Sequence, residues 1–175
     1  ASTRVSLAEL AETLEKAEPG RGYKSCRPLF RSPEEYAAFR ARHDADRVET
    51  VEDPGYTGRV YLGVDAGSTT VKCALIREDE QLLYTEYLPN GGNPVPLVKQ
   101  FLETIYERFP GAVIAGAAST GYGEEMIRSA FCFDTSLVET MAHFAAAKKF
   151  QPAVDFIIDI GGQDIKCFQI RNGAI

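Results

Sequence analysis

Leu62-Gly63-Val64-Asp65-Ala66-Gly67-Ser68-Thr69-Thr70-Val71-Lys72 decides how this chain is read. Val60, Leu62 and Val64 alternate with their neighbours and run into an acid. A turn of small residues follows, and a second alternating run extends from Val71 to Ile76. Alternation on both sides of a Gly-containing turn predicts a β-hairpin. Successive backbone N–H groups in such a turn make a concave donor site suited to phosphate. Asp65, at the strand end, is placed to hold a hydrated Mg²⁺ against that phosphate. The bland alternative for this stretch taken alone is an ordinary hairpin with a solvated Asp.

A second stretch shifts the balance. Asp155-Phe156-Ile157-Ile158-Asp159-Ile160-Gly161-Gly162-Gln163-Asp164-Ile165-Lys166 again runs an apolar strand into an acid, then glycines, a polar turn and a strand through Ile170. Two Asp-x-Gly hairpins in one chain are far more specific than one. They suggest two phosphate-facing loops from related lobes, opposed across a cleft.

Between the hairpins, strands are expected near 59–65, 71–77 and 81–88 as an antiparallel meander. Asn93 reads as the cap of a helix starting at Pro94, with Leu97, Phe101 and Ile105 on one face. Ala112 to Ala118 is an apolar run of strand length after a helix, expected to be a buried parallel strand. It ends in Ser119-Thr120-Gly121-Tyr122-Gly123, a small-residue loop where ligands bind in open α/β sheets, or else a plain strand–helix turn. A helix from Glu124 through Phe131 follows. Leu137-Val138-Glu139 reads as a short strand with Thr140 capping the next helix, in preference to a capping box over Ser136 to Glu139.

Before residue 59 the sequence carries a capping box at Ser6–Glu9 and a helix that Pro19-Gly20 stops. Ser32-Pro33-Glu34-Glu35 opens a second helix to about His43, with Tyr36 and Phe39 as docking residues. Nothing in this part converges on chemistry. Residues 1–58 are therefore expected to be a helical connector, 59–154 a first lobe, and 155–175 the opening hairpin of a second.

The chain has 175 residues, 45% hydrophobic and 25% charged, the composition of a globular domain with a proper core. Apolar runs long enough to span a bilayer are missing, and the net charge of −6 argues against a nucleic-acid or anionic-membrane surface. A polar start that is not Met suggests an excised fragment. Cys26, Cys73, Cys132 and Cys167 are scattered without a CxxC pair, which points to reduced thiols of a cytoplasmic protein. Cys73 and Cys167 fall within apolar strand patterns and are expected to be buried.

Gly63 to Cys73, Thr120-Gly121-Tyr122-Gly123 and Ile158 to Asp164 together resemble the ATPases that activate 2-hydroxyacyl-CoA dehydratases. These are related to the ATPase subunits of benzoyl-CoA reductase. The resemblance covers residues 59–175. It implies an α/β fold of the ribonuclease-H-like class, shared with actin and sugar kinases, whose second lobe is truncated here. It further implies binding of ATP and Mg²⁺, with Gly67, Ser68, Thr69 and Thr70 as the first phosphate loop. Asp65 would hold Mg²⁺ through water. Gly121 would lie in the loop beside it. Asp159 would open the second loop and orient the attacking water, beside Gly161, Gly162 and Gln163. Such phosphoryl transfer runs on positioning and electrostatics.

In that family ATP hydrolysis drives an electron from a [4Fe–4S] cluster, shared between two subunits, into an acyl-CoA dehydratase or reductase component. One ligand occurs as Ser-Cys-His. The corresponding run here is Glu139-Thr140-Met141-Ala142-His143, with Ala142 at the cysteine's place. The resemblance therefore implies that this segment does not build the usual cluster. The leading segment resembles the linkers of larger activator-like proteins with tandem units, so other units of the same parent chain are expected partners. Two other readings stay open: an amino-sugar-like kinase of the same superfamily, and a non-catalytic pseudo-ATPase assembly module. Lys72, Glu139 and His143 match family positions without an assignable role. The segment alone is expected to bind ATP weakly or not at all, and to remain colourless with iron and sulfide.

Overall fold

A computed structural model describes residues 5–17 and 26–175. The chain divides into two compact units, 1–47 and 48–175.

In the first unit, helix α1 spans Leu7–Lys16 and α2 spans Pro33–Asp44. The Ser6–Glu9 capping box closes in both directions: the Ser6 hydroxyl accepts from Glu9 N, and the Glu9 carboxylate accepts from Ser6 N. At α2 the exchange is offset by one residue. Ser32 Oγ accepts from Glu35 N, but Glu35 accepts from Arg31 N. Tyr36 and Phe39 meet Phe30 of their own unit, with ring centroids 5.2 and 5.1 Å away. The stop expected at Pro19-Gly20 lies outside the described residues.

The second unit is built on strands β1 (Arg59–Ala66), β2 (Thr70–Arg77), β3 (Leu82–Pro89), β4 (Val113–Thr120) and β5 (Thr135–Ser136). They form one sheet in the order β3-β2-β1-β4-β5. The first three make the expected antiparallel meander, and β4 lies parallel to β1. Alternation decides which face is buried. Val60, Leu62, Val64 and Ala66 of β1 and Val71, Cys73 and Leu75 of β2 all point to one side. Helix α3 (Val95–Arg108) covers that side with Val98, Phe101 and Ile105, and α4 (Glu124–Phe131) adds Ile127. Each large apolar side chain buried in this way contributes about 1.5–3 kcal/mol, so this layer dominates the unit's stability.

The opposite face is lined by small residues, among them Gly63, Ala74 and Ala118. With Ala142 and Ala146 of helix α5 (Glu139–Phe150) they bound an open groove of about 840 Å³. That groove corrects one expectation: β4 is half-exposed along most of its length, and only its Ser119 is buried. The segment before α5 is corrected too. The short strand is Thr135–Ser136, paired with Ala118 and Ser119, and α5 begins at Glu139 with no side-chain cap from Thr140. Helix α3 starts at Val95, one residue later than expected, with Pro94 in the cap position. Asn93 Oδ1 accepts from Val95 N instead.

Strands β6 (Phe156–Ile160) and β7 (Ile165–Gln169) form a separate two-stranded antiparallel hairpin. Cys167 corrects a further expectation. It pairs with Ile158 on the hairpin's exposed face, beside Ile160 and Ile165, and is not a core residue. No helix among the described residues is long and apolar enough to cross a membrane.

Candidate functional site

Register brings the first loop and the Gly121 loop together. Asp65 of β1 stands opposite Thr120 of β4, so residues 67–70 and 121–123 leave the sheet at the same edge. Such an edge, at the C-terminal ends of parallel strands, is where α/β sheets bind ligands. Gly121 is fixed there by sterics. Its φ is +86°, and a Cβ would stand 2.6 Å from Asp65 Oδ1 and 2.8 Å from Ala66 O. Gly123 N donates to Ala66 O at 2.9 Å, tying the loop to the end of β1.

The first loop is braced from below by a residue that sequence reasoning treated only as a break. Asn90, 8% exposed, donates from Nδ2 to Gly67 O at 2.6 Å, while its N–H donates to Thr69 O at 2.8 Å. The turn's carbonyls are thus engaged from behind. An Asn before Gly91-Gly92 looks like ordinary turn chemistry, and only the long-range contact distinguishes it.

The second loop meets the first. A Cβ on Gly162 would stand 2.6 Å from Thr69 Oγ1. Gly67, Ser68, Thr69 and Thr70 line one cavity of about 150 Å³ with Gly161, Gly162 and Gln163. Lys72, Tyr87, Tyr122, Glu139 and Asp164 share its wall. Three candidate residues stand back from it. Asp65 faces the larger groove, and Asp159 lies one residue before the wall at Ile160. Gly121 borders a neighbouring groove that also holds Tyr122, Glu139 and Lys166.

The two acids differ in their partners. Asp65 Oδ2 accepts from Lys72 Nζ at 2.8 Å, whereas its Oδ1 is buried and has no hydrogen-bond partner among the described residues. A buried carboxylate oxygen without a donor is costly, and it fits a metal-bound water or the cation itself. Asp159 Oδ2 lies 3.1 Å from His143 Nδ1 of α5. Lys166, its cross-strand neighbour, turns instead to Glu139 at 2.6 Å and Asp164 at 3.2 Å. The hydrogen bond from Lys166 to Glu139, with Asp164 adding to it, raises the ammonium's pKa. The group therefore stays charged at neutral pH. Sequence reading names Glu139, His143 and Tyr122 but not the contacts that they and Lys166 make here.

A meander of three antiparallel strands, a parallel return strand, and two Gly turns facing one anion-sized cavity define a ribonuclease-H-like α/β unit of the actin and sugar-kinase class. Within that class the chain belongs to the BadF/BadG/BcrA/BcrD ATPase family, which it matches over residues 62–175. It is 28% identical to the (R)-2-hydroxyglutaryl-CoA dehydratase activating ATPase of Acidaminococcus fermentans over 117 residues, covering 65% of this chain and 44% of that protein. It is 31% identical to the 2-hydroxyisocaproyl-CoA dehydratase activator of Clostridioides difficile over 116 residues, covering 65% and 42%. The solved structure of the Clostridium difficile activator with bound ADPNP superposes with a TM-score of 0.55 at 30% identity, covering 66% of this chain and 43% of that one. The Acidaminococcus fermentans dehydratase component A superposes at 0.56 with 28% identity, covering 66% and 44%. The chain thus spans less than half the length of these relatives.

Proposed function

We propose that this chain is the nucleotide-binding part of an ATPase that activates a radical acyl-CoA dehydratase or reductase component in the cytoplasm. The observation that carries the reading is the meeting of the two Gly turns, Gly162 against Thr69, around one small cavity. The backbone N–H groups of 67–70 and 161–163 are the donors suited to the β- and γ-phosphates of ATP, a role that needs no covalent nucleophile. Lys72 adds an ammonium to the cavity wall.

Asp65 is the residue for Mg²⁺: its unpartnered Oδ1 is the kind of oxygen that a hydrated cation satisfies. When bound, the cation would offset charge on the phosphates. Asp159 is assigned to orienting the attacking water, and the contact at His143 Nδ1 holds its carboxylate in place. Hydrolysis then transfers the terminal phosphoryl group to that water and releases ADP and phosphate.

Ala142 has no donor for iron, so α5 is not expected to supply the family's cluster cysteine here. That same residue favours a second reading, in which the unit is a non-catalytic pseudo-ATPase module used for assembly with other units of its parent chain and passes on no electron. Steady-state ATP hydrolysis by the full-length protein, with and without its acyl-CoA dehydratase component, tests the proposal. Turnover stimulated by the partner is expected. Absence of turnover both with and without the partner would move the assignment to the assembly module.

A further inference from the structure

We propose that Glu139, His143 and Asp159 bind a first-row divalent cation directly, in a site that needs no nucleotide. Glu139 and His143 stand four residues apart on α5, hence on one helical face, and Asp159 comes to them from β6. One ligand atom from each lies within 4.8 Å of the others. His143 Nδ1 and Asp159 Oδ2 are 3.1 Å apart. Two cis ligands at the usual metal–nitrogen and metal–oxygen lengths stand about 3 Å apart, so this pair already has the spacing of a coordination edge.

Charge supplies an independent argument. Two carboxylates, Glu139 and Asp164, share one ammonium, Lys166, and a third, Asp159, stands against His143. Carboxylates thus outnumber the ammonium in this cluster, and a divalent cation would offset the difference. Lys166 is no obstacle, because it also holds Asp164 and can rest there when Glu139 turns to the cation. One imidazole with two carboxylates suits Mn²⁺, Fe²⁺, Co²⁺ or Zn²⁺; sites for Mg²⁺ are built of oxygen alone. The site differs from the one assigned to Asp65, which belongs to the other hairpin and has no nitrogen ligand. It does not rest on the ATPase reading.

The test is a titration of the nucleotide-free chain with Mn²⁺, followed by electron paramagnetic resonance, with electron spin-echo envelope modulation on the bound fraction. One Mn²⁺ per chain with a coupled ¹⁴N nucleus is expected. His143→Asn should abolish the nitrogen coupling and weaken binding by about tenfold or more. Glu103→Gln, on the exposed face of α3, should leave both unchanged. Circular dichroism of each variant separates loss of the ligand from loss of the fold, and the nitrogen signal of the unaltered chain stands whatever the variants do. Binding without ¹⁴N coupling, binding lost in Asp65→Asn but kept in His143→Asn, or no stoichiometric binding below millimolar Mn²⁺ would each overturn the proposal. None of these outcomes bears on ATP turnover, so the two readings fail separately.

Discussion

The two hairpins carry the same residues in the same order and use them differently. Asp65, Gly67, Lys72 and Cys73 recur at identical spacing as Asp159, Gly161, Lys166 and Cys167. In both, the Lys is the Asp's cross-strand partner. In the first hairpin that register pair closes into an ion pair, and the next residue, Cys73, enters the core. In the second the pair is open. His143 stands by the Asp, the Lys turns to Glu139 and Asp164, and Cys167 is exposed. The difference is one of surroundings. The first hairpin is the middle of a five-stranded sheet beneath α3, whereas the second is a two-stranded ribbon beside α5. One motif thus yields a rigid, core-anchored loop in one place and a polar, rearrangeable cluster in the other.

The sharpest contrast is chemical. Burial pushes the Cys73 thiol up to about 12, while Cys167 is open to solvent. At pH 8 the thiolate fraction of Cys73 falls about a thousandfold below that of an ordinary cysteine, before access is counted. Labelling with a thiol-specific reagent and peptide mapping should modify Cys167 promptly and Cys73 only after unfolding. Equal rates would break the comparison.

Next come the acids. In the full-length protein Asp65→Ala and Asp159→Ala should each lower ATP turnover on the order of 10²-fold or more, as loss of an oriented electrostatic group does. Native circular dichroism is expected in both. Unchanged turnover in both variants would move the chemistry elsewhere.

The loops give smaller effects that separate stability from binding. Gly121→Ala forces a Cβ into a left-handed backbone and against Asp65 Oδ1, so urea unfolding should show a loss of about 2 kcal/mol or more. Gly162→Ala meets only the side chain of Thr69, which can rotate, so its cost in stability should stay under about 1 kcal/mol. It should still weaken nucleotide affinity by pushing the two turns apart, measurable by calorimetry on the full-length protein. A Gly162→Ala protein that binds normally would show that the turns do not act as one cradle.

Much of this architecture was readable from periodicity. The meander, the return strand and both hairpins follow from alternation ending in Asp-x-Gly, because a period of two with a Gly turn admits few other structures. The Gly67–Thr70 turn and the Gly161-Gly162 turn could be singled out as candidate loops for the same reason. Partners across long sequence distances could not. Asn90 bracing Gly67, His143 beside Asp159 and Lys166 reaching Glu139 join residues 16 to 27 positions apart, and local pattern carries no trace of them. Cys167 was misjudged for a related reason. An apolar alternating strand says that one face is hydrophobic, and says nothing about what lies over it.

The central claim is that residues 67–70 and 161–163 form one phosphate cradle. The most direct measurement is an amide nuclear magnetic resonance titration of the full-length protein with Mg²⁺ and a non-hydrolysable ATP analogue. The account predicts that the amides of both turns shift together along one saturation curve, with Asn90 following the first turn. Shifts confined to one turn, or two turns saturating at different concentrations, would contradict it.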